Sequence, residues 1–243
     1  MGHFTVEVKP TIAASKQALG AFSNKDVLFE WTSFDIPKGA KKLVDVTLVV
    51  RGTDGVYQEK DTVLYFAKTK DGGATEPANM GGIHTSANGT GYFDHVIGAV
   101  QIVSGDFKEG LDHLSIATLG HGASANHQPS IVLQGEPESG TNVGFDKLYV
   151  GSTCGAFNFA STVQVSTQTA TNTTAVVVKT TSALITFAAG DILHDEDDQL
   201  IGTIKSITDA NNIVLEENAA SVSAVDKDLY NINPVKLILS FED

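Results

Sequence analysis

The stretch from Val27 to Val50 constrains the fold more than any other part of the chain. Val27-Leu28-Phe29-Glu30-Trp31 and Leu43 to Val50 are rich in β-branched and aromatic residues, and both read as strands. Between them, Ile36-Pro37-Lys38-Gly39 and Ala40-Lys41-Lys42 supply a turn. Pro37 fixes φ at the corner, and Gly39 accepts the positive φ of a tight reversal. Leu43, Val46, Leu48 and Val50 alternate so as to line one face of a sheet. This unit organises a β-sandwich core.

The remaining chain carries the same signature. Phe4–Val8, Thr62–Ala67, Phe93–Val103, Leu114–Leu119, Ser130–Gln134, Phe145–Val150 and Ala156–Val165 are expected strands, separated by Gly- or Pro-containing loops. Residues 11–25 hold the best place for a short helical turn, interrupted at Gly20. That gives about eight or nine strands in residues 1–165, at the spacing of two antiparallel sheets of jelly-roll type. The polar run Ser166–Thr174 is a linker or an exposed edge strand. Beyond it, Ala175–Lys179, Ala183–Phe187, Gln199–Ile207 and Ile213–Glu216 predict closely spaced strands of a small SH3-like barrel. Pro234–Phe241 reads as a strand that returns to the first domain. The expected organisation is therefore an all-β chain: a jelly-roll-like sandwich over 1–165, to which the strand in 234–243 can return, and a small barrel over 166–233.

Charge and cysteine content narrow the function classes. With 29 acidic and 16 basic residues the formal net charge is −13, which argues against a nucleic-acid partner, since phosphate binding needs a basic stripe. An acidic surface suits solubility and docking onto a positively charged protein face. Cys154 is the only cysteine, so no intrachain disulfide is available. No run approaches the ~20 apolar residues of a membrane helix, and the amino-terminal stretch lacks the pattern of a secretory signal. The expectation is a protein made and assembled inside a cell, with no membrane partner.

Chemistry-bearing candidates are sparse. Asp195-Glu196-Asp197-Asp198 is the sharpest cluster, and Asp195, Asp197 and Asp198 are the candidates for a hard cation such as Ca²⁺. The EF-hand spacing is absent, and a solvated hairpin turn is the preferred reading. Of the seven histidines, His121 and His127 share a loop, while His84, His95 and His113 lie elsewhere; no metal-ligand spacing appears. Cys154 lies in Gly151-Ser152-Thr153-Cys154-Gly155 and reads as a small packed residue near a strand end. Asp94, Asp106, Glu136, Glu138 and Asp146 are available for paired-carboxylate chemistry, yet nothing selects two. No phosphate-cradling loop is present. The expectation is a non-enzyme without a cofactor.

Aromatic residues suggest one ligand class. Trp31, Tyr57, Tyr65, Tyr92 and Tyr149 are the candidates for a sugar-stacking platform. Trp31 reads as core, whereas Tyr92, closing the polar loop Asp71–Gly91, is the candidate for a ligand-facing residue. A lectin-like jelly-roll module binding glycans is the alternative function.

Two stretches carry a resemblance. One is Asp26-Val27-Leu28-Phe29-Glu30-Trp31-Thr32-Ser33-Phe34-Asp35-Ile36-Pro37-Lys38-Gly39. The other runs from Ala189-Gly190-Asp191-Ile192-Leu193-His194 through Leu200-Ile201-Gly202, with the ending Leu229-Tyr230-Asn231-Ile232-Asn233-Pro234. Together they resemble virion structural proteins of tailed bacteriophages, of the marine myovirus type, where such chains look like head decoration or accessory components. The resemblance implies attachment to the major capsid protein on the capsid surface, as a symmetric homo-oligomer with a trimer favoured. It also implies no cofactor and assembly in the host cytoplasm. It assigns no individual functional residue.

Overall fold

The structure, a computed structural model, describes residues 2–52, 57–69, 76–111, 113–120, 129–135, 145–179 and 183–243. In chain order the strands are β1 (His3–Val8), β2 (Asp26–Pro37), β3 (Lys41–Arg51), β4 (Thr62–Ala67) and β5 (Val96–Ile102). They continue with β6 (Phe107–Leu111), β7 (Leu114–Leu119), β8 (Ile131–Leu133), β9 (Phe145–Cys154) and β10 (Ala175–Val177). The last five are β11 (Ile192–Asp195), β12 (Leu200–Asp209), β13 (Asn212–Leu215), β14 (Leu229–Asn231) and β15 (Val235–Glu242). Two single-turn helices, α1 (Ala14–Gln17) and α2 (Ala183–Thr186), complete the set. The protein is an all-β sandwich with a further antiparallel sheet.

One sheet runs β1-β15-β3-β7-β6, with β8 also pairing the start of β3; the facing sheet runs β2-β9-β4-β5. Alternation explains the core. In β15 the residues Val235, Leu237, Leu239 and Phe241 are fully buried, while Lys236, Ile238, Ser240 and Glu242 face outward. Leu43, Val46, Leu48 and Val50 of β3 join them, and Leu64, Phe66, Leu148 and Val150 approach from the facing sheet. The third sheet runs β10-β13-β12-β11-β14. It closes over its own apolar cluster, which includes Val163, Val176, Phe187, Leu193, Ile204 and Leu215. The chain leaves the sandwich after the stacked pair Phe157–Phe159 and returns as β15, between β1 and β3.

Several local expectations need correction. The first strand of the central unit does not stop at Trp31; β2 continues through Pro37, because Phe34 and Ile36 alternate into the core beyond Trp31. The turn contracts to Lys38-Gly39-Ala40, with Gly39 at φ 98°. Two register shifts in β2 also turn consecutive residues, Leu28 and Phe29, into the core. Ala156–Val165 is not a strand. Its strand-like pairing is limited to isolated bridges at Asn158, Gln164 and Val165, since it crosses from one core to the other. Ala183–Phe187 forms helix α2 and not a strand: Ala183, Thr186 and Phe187 are buried at helical spacing, while Leu184 and Ile185 are exposed.

Candidate functional site

The aromatic candidates and the described part of the polar loop form one unit on the outer face of the second sheet. Residues 76–95 lie against that face and are pinned from below. The Glu30 carboxylate accepts hydrogen bonds from the backbone N–H groups of Met80 (2.8 Å) and Gly82 (2.7 Å). Trp31 Nε1 donates to the Ala78 carbonyl (2.9 Å), and Tyr149 Oη donates to Glu76 Oε1 (2.9 Å). Val27 exchanges backbone bonds with the loop, donating to Thr85 O (2.8 Å) and accepting from His84 N (2.9 Å). These contacts enclose a small apolar cluster of Val27, Met80 and Tyr92, with Trp31, Tyr65 and Val96 packed around it.

Tyr92, the ligand-facing candidate, is turned inward onto this cluster. It is only 8% exposed, with its ring edge-on to Trp31 at 5.3 Å. Burial pushes its phenol up, with Tyr65 and Glu30 adding to the effect. Trp31 belongs to this outer cluster and not to the sandwich core. The neighbouring Phe93 is the side chain left in solvent, 83% exposed. No feature of the alternation distinguishes Tyr92 from Phe93. The one-turn 3₁₀ segment Thr90–Tyr92 decides which ring turns inward.

The acidic run forms the hairpin turn between β11 and β12, and its carboxylates diverge. Asp195 is buried; its Oδ1 accepts from the backbone N–H of Asp197 (3.1 Å) and Gln199 (3.0 Å), and its Oδ2 from Ser223 Oγ (2.9 Å). Asp197 pairs with Lys227 at 2.8 Å, as does Glu196 at 2.7 Å. These two carboxylates raise the Lys227 pKa, Asp197 more strongly. Asp198, at φ 62°, accepts from the Ser15 N–H at 2.9 Å and so ties the turn to α1. The oxygens of Asp195, Asp197 and Asp198 thus serve three separate partners and do not converge as cation ligands require. Among the described residues no three His, Cys, Asp or Glu side chains gather around a common point.

The remaining candidates are dispersed. His84 packs tilted against Phe22 with centroids 4.3 Å apart, and His95 is buried with Nδ1 2.9 Å from the Lys68 carbonyl. His113 sits at φ 63° in the β6–β7 turn. Asp106 caps the backbone of Val103, and Asp146 accepts from Gly39 N–H at 2.9 Å. Cys154 is buried at the end of β9, and burial pushes its thiol far up, away from nucleophilic use. His121, His127, Glu136 and Glu138 lie outside the described residues. Among the described residues, no helix is long and apolar enough to cross a membrane.

The cluster that sequence reasoning missed is the joint between the two cores. Arg51, the chain's only arginine, ion-pairs with Asp191. Gln17 Nε2 donates both to Ile12 O (2.7 Å) and to Asn231 O (2.9 Å). Ile12 N donates to Ile232 O and Arg51 N to Pro234 O, each at 2.8 Å. Asn233 Nδ2 reaches Pro10 O at 3.0 Å. A lone arginine at a strand end was the available signal; its partner, 140 residues away, was not legible. A cleft of about 370 Å³ opens beside this joint, lined by Lys9, Arg51, Asp191, Asn233 and Lys236 among others. No protein-family model matches the chain, and no curated protein matches it.

Proposed function

We propose that the protein is a non-enzymatic structural component of a tailed-phage virion. In this reading it is a decoration protein that binds the outer surface of the head, with the major capsid protein as partner, and acts as a homo-oligomer. What supports this is the joint. The segments Ala189–His194 and Leu229–Pro234, which carry half of the resemblance, meet there as the paired strands β11 and β14 and their flanks. They fasten the small core to the sandwich through Arg51, Gln17 and Asn233. A two-core body held by charged and backbone contacts offers broad, fixed surface to a lattice. Many weak contacts repeated by symmetry then add avidity without chemistry. Glycan binding has less support, since Tyr92, its named contact, is turned into an apolar cluster.

The test is co-sedimentation of the purified protein with expanded capsids that lack it, followed by imaging. Saturable binding at a fixed copy number per capsid is expected. Absence of binding across a range of salt and pH would overturn the proposal, and a glycan array would then test the alternative.

A further inference from the structure

Among the described residues, no strand pairs the outer edge of β1, which ends the six-stranded sheet. Exposed sheet edges template pairing with other chains, and proteins usually defend them with bulges, short strands, charges or covering loops. Each other edge among the described residues is bulged, short or bridged, whereas β1 carries only charges, with Glu7 paired to Lys9 (3.0 Å) and Lys236 (3.7 Å) and His3 beside Glu242 (3.8 Å). β6 has a register shift against β7, and the β4–β5 ladder has one near its end. β8, β10 and β14 are three residues long. The start of β2 is bridged by Ile83 and Ser86. β1 alone is a regular six-residue strand, in unbroken register with β15 from His3 to Val8.

Hydrogen-bond parity identifies which backbone groups point away from β15. The Asp243 N–H donates to Gly2 O at 3.1 Å. Paired bonds recur at every second residue in an antiparallel ladder, so Phe4, Val6 and Val8 direct their backbone groups toward β15. Those of His3, Thr5 and Glu7 point off the edge. The side chains of the same three residues are exposed on the outer face, whereas Phe4 and Val6 pack against the core.

We propose that β1 is a docking edge for a second copy of this chain, which pairs antiparallel to it about a two-fold axis through Thr5. In that register Thr5 faces Thr5 of the partner, and His3 and Glu7 each face the other's counterpart, an imidazole against a carboxylate. All three positions direct their backbone groups off the edge, and each facing pair exchanges two N–H···O bonds. A register centred on Val6 instead sets His3 against Lys9 and Thr5 against Glu7, which removes the imidazole–carboxylate pairing. The association is isologous, so it closes as a dimer and joins the two copies of the sheet into one. It is two-fold and not the three-fold association that the resemblance implies. It holds for the purified chain whether or not the capsid role does.

Sedimentation velocity on the full chain tests it. Wild type is expected to form a concentration-dependent dimer in the micromolar range. Thr5→Pro removes an N–H that points off the edge and spares the ladder to β15, so it should leave a folded monomer. Glu7→Lys alone should weaken the dimer about tenfold, since symmetry repeats the altered pair. His3→Glu combined with Glu7→Lys places opposite charges across each pair and should recover most of that loss. The charge swap decides the question even if Thr5→Pro misfolds. A wild type that stays monomeric throughout the micromolar range overturns the proposal. So does a dimer indifferent to Thr5→Pro, or one that the charge swap weakens as much as Glu7→Lys alone.

Discussion

Arg51 and Asp191 show how a single pair can decide the arrangement of two cores. Asp191 Oδ2 also accepts the Ala188 N–H at 2.8 Å, which fixes the turn before β11. Burial pushes the Asp191 carboxyl up, while Arg51 pulls the other way. A buried charge that loses its partner is strongly destabilising, whereas removing both charges costs much less. Arg51→Met is therefore expected to cost about 3 kcal/mol near neutral pH. Asp191→Asn preserves an acceptor for Ala188, and the double variant should lose less than the sum of the singles. The pH dependence follows from the raised folded-state value. The stability of the neutral form is fully present below the unfolded value of about 4 and is lost as pH rises through the folded one. Removing Arg51 raises the folded value further. The Arg51→Met penalty should thus be largest at neutral pH and shrink on acidification. Urea denaturation at both pH values checks this; a pH-independent penalty, or an additive cycle, contradicts it.

At the scale of elements, residues 76–91 over the second sheet are a fastened cover and not a free arm. A Cβ at Gly151 would lie 2.5 Å from Met80 Sδ and 2.9 Å from the Trp31 ring, so only glycine lets the cover approach β9 so closely. Glu30 holds two loop N–H groups at once, a task that a neutral amide with one acceptor oxygen performs poorly. Glu30→Gln is expected to cost about 1.5–3 kcal/mol, the range for bonds to a charged group. Trp31 is the chain's only tryptophan and packs in this cluster, so its emission should shift to the red and its quenching by acrylamide should rise. Unchanged emission with unchanged stability would show that Glu30 does not hold the loop. The strands themselves were legible where apolar, β-branched or aromatic residues run together between turn signals: Thr62–Ala67 and Leu114–Leu119 coincide with β4 and β7. Legibility failed where one residue stretch serves two cores, as in Ala156–Val165. It failed again where an apolar run is too short to separate period 2 from period 3.6, as in Ala183–Phe187. The cover was not legible at all, because its anchors in β2 lie some fifty residues before the N–H groups they bind.

At the scale of the whole molecule, the path of the chain sets how separable the two cores are. The outgoing segment at Val163–Val165 and the returning one at Asp226–Leu229 run side by side. Leu229 N donates to Val163 O (2.8 Å), Val165 N to Lys227 O (2.9 Å), and Asp226 N to Val165 O (3.0 Å). The two ends of the small core therefore emerge next to each other, and a short flexible linker can replace everything between them. Among the described residues, the sandwich core draws none from between Phe159 and Val235. The small-core cluster runs from Val163 to Leu229. Joining residue 162 to residue 230 through a short Gly/Ser linker should leave a folded sandwich, with β15 still paired between β1 and β3. It should melt cooperatively but at lower temperature than the full chain, because the excision also removes Asp191 and exposes Arg51. Adding Arg51→Met to the shortened chain should then change little, in contrast to its effect in the full chain, since the carboxylate it would orphan is gone. Circular dichroism and calorimetry on both shortened chains decide the matter. An excised chain without a cooperative transition would mean that the sandwich borrows stability from the small core through more than this joint.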